Sequence, residues 1–248
     1  RPMTLPTMKF SRRLGAQSLA VAIVSGLMMS LFGIRTAEAH EPIFAPGAHV
    51  HSKDGHELAL EYQRDRTSGA GEKVTEQELA LEYEYGVTAD WTVKAEIPLV
   101  DKDSNGNGST GIGDMVLGTK YRFLRVDFPG MQYSTTLLFQ AKLPTGDDDR
   151  NPRLGSGSTD FVGGLLHGLE SRRWYYNTAA RYRLNTEGGG DLEKGDKVFL
   201  DIVGGVRPVL TKYKDPDTVL FLELNFENAE RDTLRGGDVA DTGGGGLF

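Results

Sequence analysis

Side-chain polarity alternates with a period of two in segments of about ten residues, and this restricts the chain to β-structure. In Glu78–Tyr85, Leu79, Leu81, Tyr83 and Tyr85 alternate with Glu78, Ala80, Glu82 and Glu84. A helix would scatter those carboxylates around its circumference. A strand gathers them on one face and the apolar groups on the other. The pattern recurs: Trp91, Val93, Ala95, Ile97 and Leu99 oppose Thr92, Lys94 and Glu96. Met115, Leu117, Tyr121 and Phe123 oppose Asp114, Lys120 and Arg122. Similar segments lie at Tyr133–Leu143, Trp174–Leu184, Val198–Arg207 and Leu220–Glu227. His56–Arg64 and the Gly-rich Thr159–Leu169 are weaker, and together these make nine predicted strands.

The connections alternate in length. Gly86–Asp90, Leu124–Gly130, Glu170–Arg173 and Pro208–Asp217 are short, whereas Asp65–Thr75, Val100–Gly111, Pro144–Ser158, Asn185–Asp196 and Asn228–Gly243 are long and polar. Aromatics such as Tyr83, Trp91, Tyr121, Tyr133 and Trp174 gather beside the short turns. Short turns on one side, long loops on the other and rings at one end form the pattern of an outer-membrane barrel. A soluble β-sandwich or lipocalin-like barrel would alternate equally well, with the apolar face as its core. The loop alternation and the placement of the rings favour the antiparallel transmembrane barrel.

Met8-Lys9-Phe10-Ser11-Arg12-Arg13 is a basic start. The apolar stretch Leu19–Ile34 follows, and Ala37-Glu38-Ala39 is an A-x-A cleavage pattern. At ~16 residues the stretch is short for a bilayer span of ~20. Residues 1–39 therefore read as a signal peptide with upstream residues, cleaved before His40, and localisation in the outer membrane of a Gram-negative bacterium is expected. Those residues hold five bases and one acid, so what remains is more acidic than the −7 of the whole chain. Acidity excludes nucleic acid as an expected partner. The absence of cysteine excludes disulfides and thiolate chemistry.

Gly111-Ile112-Gly113-Asp114-Met115-Val116-Leu117-Gly118-Thr119-Lys120-Tyr121-Arg122-Phe123 is one of several shared-looking motifs. Others are Lys142-Leu143-Pro144-Thr145-Gly146-Asp147, Gly155-Ser156-Gly157-Ser158-Thr159-Asp160, the Tyr85-Gly86-Val87-Thr88 turn and Glu96-Ile97-Pro98. With these, the chain from about residue 40 onward resembles the outer-membrane β-barrel "transporter" family of the meta-pathway of phenol degradation type. The resemblance implies an outer-membrane barrel, brings no catalytic residues, and ties the substrate to aromatic catabolism only through the family's name.

Four histidines, His40, His49, His51 and His56, lie near the mature N-terminus with Glu41, Asp54 and Glu57. Imidazoles and carboxylates can hold Zn or Cu, but no tight spacing fixes a tetrahedral site. The competing reading is a polar segment on the periplasmic side. Asp101-Lys102-Asp103-Ser104-Asn105-Gly106 matches half of an EF-hand loop; Ile112 stands where the bidentate Glu belongs, and a surface loop is the better reading. Asp147-Asp148-Asp149 reads as a solvated loop tip. His167 shares parity with Leu165 and Leu169, which places it on the lipid face and removes the obvious catalytic base. No enzyme activity and no cofactor are expected.

The inward face is predicted to carry Glu78, Glu82, Glu84, Lys94, Glu96, Lys120, Arg122, Lys142, Arg181, Arg183, Asp201, Arg207, Glu223 and Glu227. These either line a polar passage and set its selectivity or pair off and plug a narrow barrel. Residues 40–55 form a His-rich N-terminal segment and residues 56–248 an incomplete barrel domain. Gly243–Phe248 is too short for a tenth crossing of ~9–11 residues, and an even strand number is the rule. A C-terminally truncated fragment is thus expected. The expected function is a passive channel or transporter for small aromatic or hydrophobic molecules; the alternative is a non-transporting protein that binds metal through the His cluster. Expected partners are outer-membrane lipid and lipopolysaccharide, the barrel-assembly machinery and a small-molecule solute.

Overall fold

The computed structural model describes residue 42 and residues 44–69, 72–210 and 218–248; the signal-peptide reading and His40 lie outside them. Fourteen strands follow in order: β1 His56–Gly69, β2 Glu72–Thr88, β3 Trp91–Ser104, β4 Asn107–Ile112, β5 Val116–Phe128, β6 Met131–Lys142, β7 Asp160–Ser171, β8 Trp174–Leu184, β9 Leu192–Glu193, β10 Lys197–Val206, β11 Leu220–Ala229, β12 Thr233–Leu234, β13 Gly237–Asp238 and β14 Gly244–Leu247. No helix occurs among the described residues. One antiparallel path runs β1-β2-β3-β5-β6-β7-β8-β10-β11-β14, with β4 paired to β3 beside it; β13-β12-β9 form a small second sheet. The nine long strands of this path are the nine read from the alternation.

Alternation sorts the two faces. Leu117, Tyr121, Leu137, Phe139, Leu165, Tyr182, Leu200, Ile202 and Leu224 stand exposed on one, while Leu138, Leu166, Ala179 and Val203 are buried on the other. In water that exposed band would be a large unpaired apolar surface; in a bilayer it is the lipid contact. Leu165→Arg distinguishes the two environments. In hydrocarbon it should cost about 2–4 kcal/mol of folding stability in lipid vesicles, and at a watery surface close to nothing.

Several predicted loops are strand instead. Val100–Gly111 is a hairpin, β3 to β4, closed by Asn105 at φ 53° and Gly106 at φ 92°. Two consecutive positive φ values are what a type I′ turn requires, and Asn-Gly is the pair that supplies them at least cost. The EF-hand resemblance therefore dissolves: Asp101 and Asp103 sit on a strand, where Asp101 accepts from the Thr110 hydroxyl at 2.6 Å. Asp65–Thr75 is likewise mostly ladder, with the β1–β2 register unbroken from His56↔Tyr85 to Gly69↔Glu72. At 17 residues, β2 far exceeds the ~9–11 that a tilted crossing needs. In β5 the register shifts between Arg122 and Leu124, so Phe123 bulges out and the outward parity changes from odd to even. The strand then reaches Phe128 where a turn was expected.

Candidate functional site: a charged interior threaded by the N-terminal segment

Opposite the apolar band, the register gathers Glu78, Glu82 and Glu84 on β2, Lys94 and Glu96 on β3, Lys120 and Arg122 on β5, and Lys142 on β6. Arg181 and Arg183 on β8, Asp201 on β10, and Glu223 and Glu227 on β11 complete this wall. Arg207 follows β10 instead. Its guanidinium donates to the Arg172 carbonyl at 2.9 Å and lies over the Tyr175 ring, so it closes the short-turn end.

Most of the wall is paired. Lys94 bridges Glu82 and Glu96, and Lys102 holds Glu76 at 2.8 Å. Arg181 donates to Asp201 at 2.8 Å and lies 4.8 Å over the Phe199 ring. Arg122, 6% exposed, donates to Asp90 and to the Ala89 carbonyl, pinning the β2–β3 turn. Glu78 has no cationic partner among the described residues, and the Arg183 Nε is buried without an acceptor there.

Across this wall runs a segment that the alternation does not describe. The Phe44 and Ala45 amides donate to the Glu223 carboxylate on β11 at 3.0 and 3.2 Å. Thr136 on β6, fully buried, donates its hydroxyl to the Ala48 carbonyl at 2.7 Å. Ala48 itself packs into a buried cluster with Leu138, Leu166 and Ala179. The His51 amide donates to Thr92 on β3 at 2.8 Å, and His51 Nε2 lies 3.0 Å from Glu84. The chain then leaves past Gly86, whose ladder-like bonds run to Asp54 and Gly55. A Cβ on Gly86 would fall 2.0 Å from the Ser52 carbonyl oxygen, so only glycine admits the segment there. Fully extended, Phe44 to His51 spans about 25 Å. The inner faces of β11 and β3 are therefore no farther apart, and the sheet is curled around the segment. The expected polar tail on the periplasmic side is instead inside the wall. The reason is composition: Ala45-Pro46-Gly47-Ala48 is small enough to lie between two sheet faces.

Among the described residues, two cavities adjoin the segment and the charged wall. One of about 380 Å³ lies beside Phe44 and Pro46, against Glu61, Glu82, Lys94 and Lys120. The other, about 440 Å³, lies toward the long connections and is bordered by Glu78, Glu96, Val100, Lys142, Arg153 and Leu154. Lys94, with its partners Glu82 and Glu96, stands between them.

The three described histidines of the N-terminal cluster do not assemble. His49 and His51 meet edge-on with ring centres 5.9 Å apart, His56 is exposed on β1, and no group of three metal-ligating side chains forms among the described residues. His51 serves the wall instead. The hydrogen bond to Glu84 raises its pKa from the ordinary 6.5, aided by Glu57 at 3.8 Å and opposed by desolvation and by Lys120. The raised value means that the protonated ring holds the segment fully below pH 6.5, and that this hold fades as pH rises through the folded-state pKa. Amide exchange of residues 44–52 should therefore accelerate beyond its intrinsic pH dependence above neutrality, and His51→Gln should remove the excess.

His167 is on the outer face, as parity places it, hydrogen-bonded to Thr135 at 3.1 Å and against the Tyr133 ring. Sequence reasoning missed the buried Asp160 and the half-buried Asp114, which hold Lys142 at 2.5 and 3.6 Å. Both stand in the Gly-Asp and Ser-Thr-Asp motifs, which was the available signal. Ser156 Oγ accepts from Lys142 Nζ at 2.6 Å and donates to Asp114 at 2.6 Å, which ties the loop to both members of this ion pair.

The profile of the family described as "Putative MetA-pathway of phenol degradation" matches residues 53–236. The chain belongs to that family. Among solved structures, this family member is similar to the crystal structure of the COG4313 outer membrane channel from Pseudomonas putida. The TM-score is 0.59 and the identity 15%, over 79% of this chain and 80% of that chain. The likeness establishes the fold: an antiparallel all-β wall of the outer-membrane channel type. No protein of curated function matches the sequence.

Proposed function

We propose that the chain is a passive outer-membrane channel for small solutes, held closed in this state by residues 44–52, and exported by a cleaved signal peptide. The observation that carries the reading is a two-signed polar wall around two cavities, beneath an outward apolar band. Bilayer contact outside and hydrated charge inside is the arrangement of a conducting barrel. The likeness to an outer membrane channel supports it. The family's description points to aromatic compounds as solutes, and cavities of this size suit single-ring molecules.

Single-channel conductance of the full-length protein, refolded into planar bilayers, tests the reading. Discrete, ion-selective steps are expected, with selectivity altered by Lys94→Gln. A folded, heat-modifiable barrel that never conducts, with or without residues 44–52, would overturn it.

A further inference from the structure

The loop between β6 and β7, residues 143–159, is drawn inward over the larger cavity. Asp114 makes the main contacts. One carboxylate oxygen accepts from the Gly146 amide at 3.0 Å; the other accepts from the Ser156 amide at 2.8 Å and the Ser156 hydroxyl at 2.6 Å. Backbone and hydroxyl donors converging on one carboxylate are strong, charge-assisted bonds. They grip both ends of the loop's inward excursion. Between them the loop closes on itself, with the Leu154 amide donating to the Asp147 carbonyl at 2.9 Å. A second loop joins it, since Arg153 donates to the Gly189 carbonyl at 2.6 Å and the Gly189 amide to the Ser156 carbonyl at 2.9 Å.

This places Leu154 in a socket. It is 7% exposed, and a Cβ on Gly111 would come within 2.9 Å of its side chain. Arg153 and Leu154 then border the cavity from the loop side, with Glu78, Glu96 and Val100 on the strand side. Arg153 spends its one observed hydrogen bond on a neutral carbonyl, and Glu78 has no cation beside it. The larger cavity is thus bordered by Glu78, Arg153 and Lys194, charges that no ion pair neutralises among the described residues.

Resting on the channel reading, we propose that the loop of residues 143–159 is the filter of the passage, that Asp114 is its positioning residue, and that Leu154 and Arg153 set the size and charge of the solutes admitted. The filter is distinct from the segment 44–52, which blocks the opposite, short-turn half of the interior.

The test uses the full-length protein in planar bilayers and in swelling liposomes loaded with sugars of rising mass. Leu154→Gly should raise the mass of the largest sugar admitted. Arg153→Glu should move the reversal potential in a potassium chloride gradient toward cation selectivity. Asp114→Ala should do more than either: a higher conductance, a larger cut-off and proteolytic cutting of the loop, with Asp114→Asn intermediate because one acceptor remains. Unchanged cut-off and reversal potential in Leu154→Gly and Arg153→Glu, in a wild type that conducts, would overturn the filter and leave the channel standing. This holds even if Asp114→Ala does not fold. A wild type that never conducts, even without residues 44–52, would overturn both.

Discussion

Removing residues 44–52 is expected to raise single-channel conductance several-fold. The segment occupies the interior from Glu223 on β11 to Thr92 on β3, and what lies behind it is charged and hydratable, so water and ions would replace it. A reversible form of the experiment avoids deletion. A Cβ on Gly168 would stand 3.2 Å from that of Ala48, a few tenths of an ångström short of the roughly 3.5–4.5 Å that disulfides span, so a small shift of the segment admits the bridge. The chain has no cysteine of its own. Ala48→Cys with Gly168→Cys should therefore conduct little when oxidised and recover on adding a thiol reductant. Equal conductance in both states would show that the segment does not obstruct the path.

Lys142→Met is expected to give the largest loss of stability among the interior charges. Its ammonium lies between Asp160, 4% exposed, and Asp114, and it also reaches Ser156 and Ser158. Removing it leaves two carboxylates facing each other without a cation. Breaking a buried pair in this way costs about 3–5 kcal/mol, against at most about 1 kcal/mol for an exposed pair. Urea unfolding in vesicles, followed by tryptophan fluorescence, separates the two magnitudes. A small shift would mean that water fills this part of the interior. Lys142→Arg should lose less, since it keeps a cation in place.

The alternation in the sequence was enough to read nine strands and the two faces of the wall, because a half-buried strand leaves its environment in every second residue. It also gave the lipid-side placement of His167. Three things were not legible. Residues 44–52 carry no periodic pattern, since they lie between faces instead of in a ladder, and their signal is only a run of small residues. The extended hairpins looked like loops because strands beyond the bilayer are polar on both sides; only Asn105-Gly106 betrayed one of them. The inward loop depended on Asp114 meeting Ser156, 42 residues away, which no local pattern encodes. The motifs did mark these residues, but without saying that they touch.

The threaded segment also bears on the order of assembly. Ala48 is covered by side chains from β6, β7 and β8, yet it precedes β1 in the chain. Had the wall finished first, the segment would have to be pushed between side chains already packed against one another. It is simpler for the strands to wind around it, as sheet metal is rolled around a mandrel. The segment then tells β6 to β8 how tightly to curve before any neighbour closes the turn. Loosening its grip at Thr136 would disturb the curvature of the wall as it forms, and so the yield of folded protein, before it changed anything that the finished molecule does.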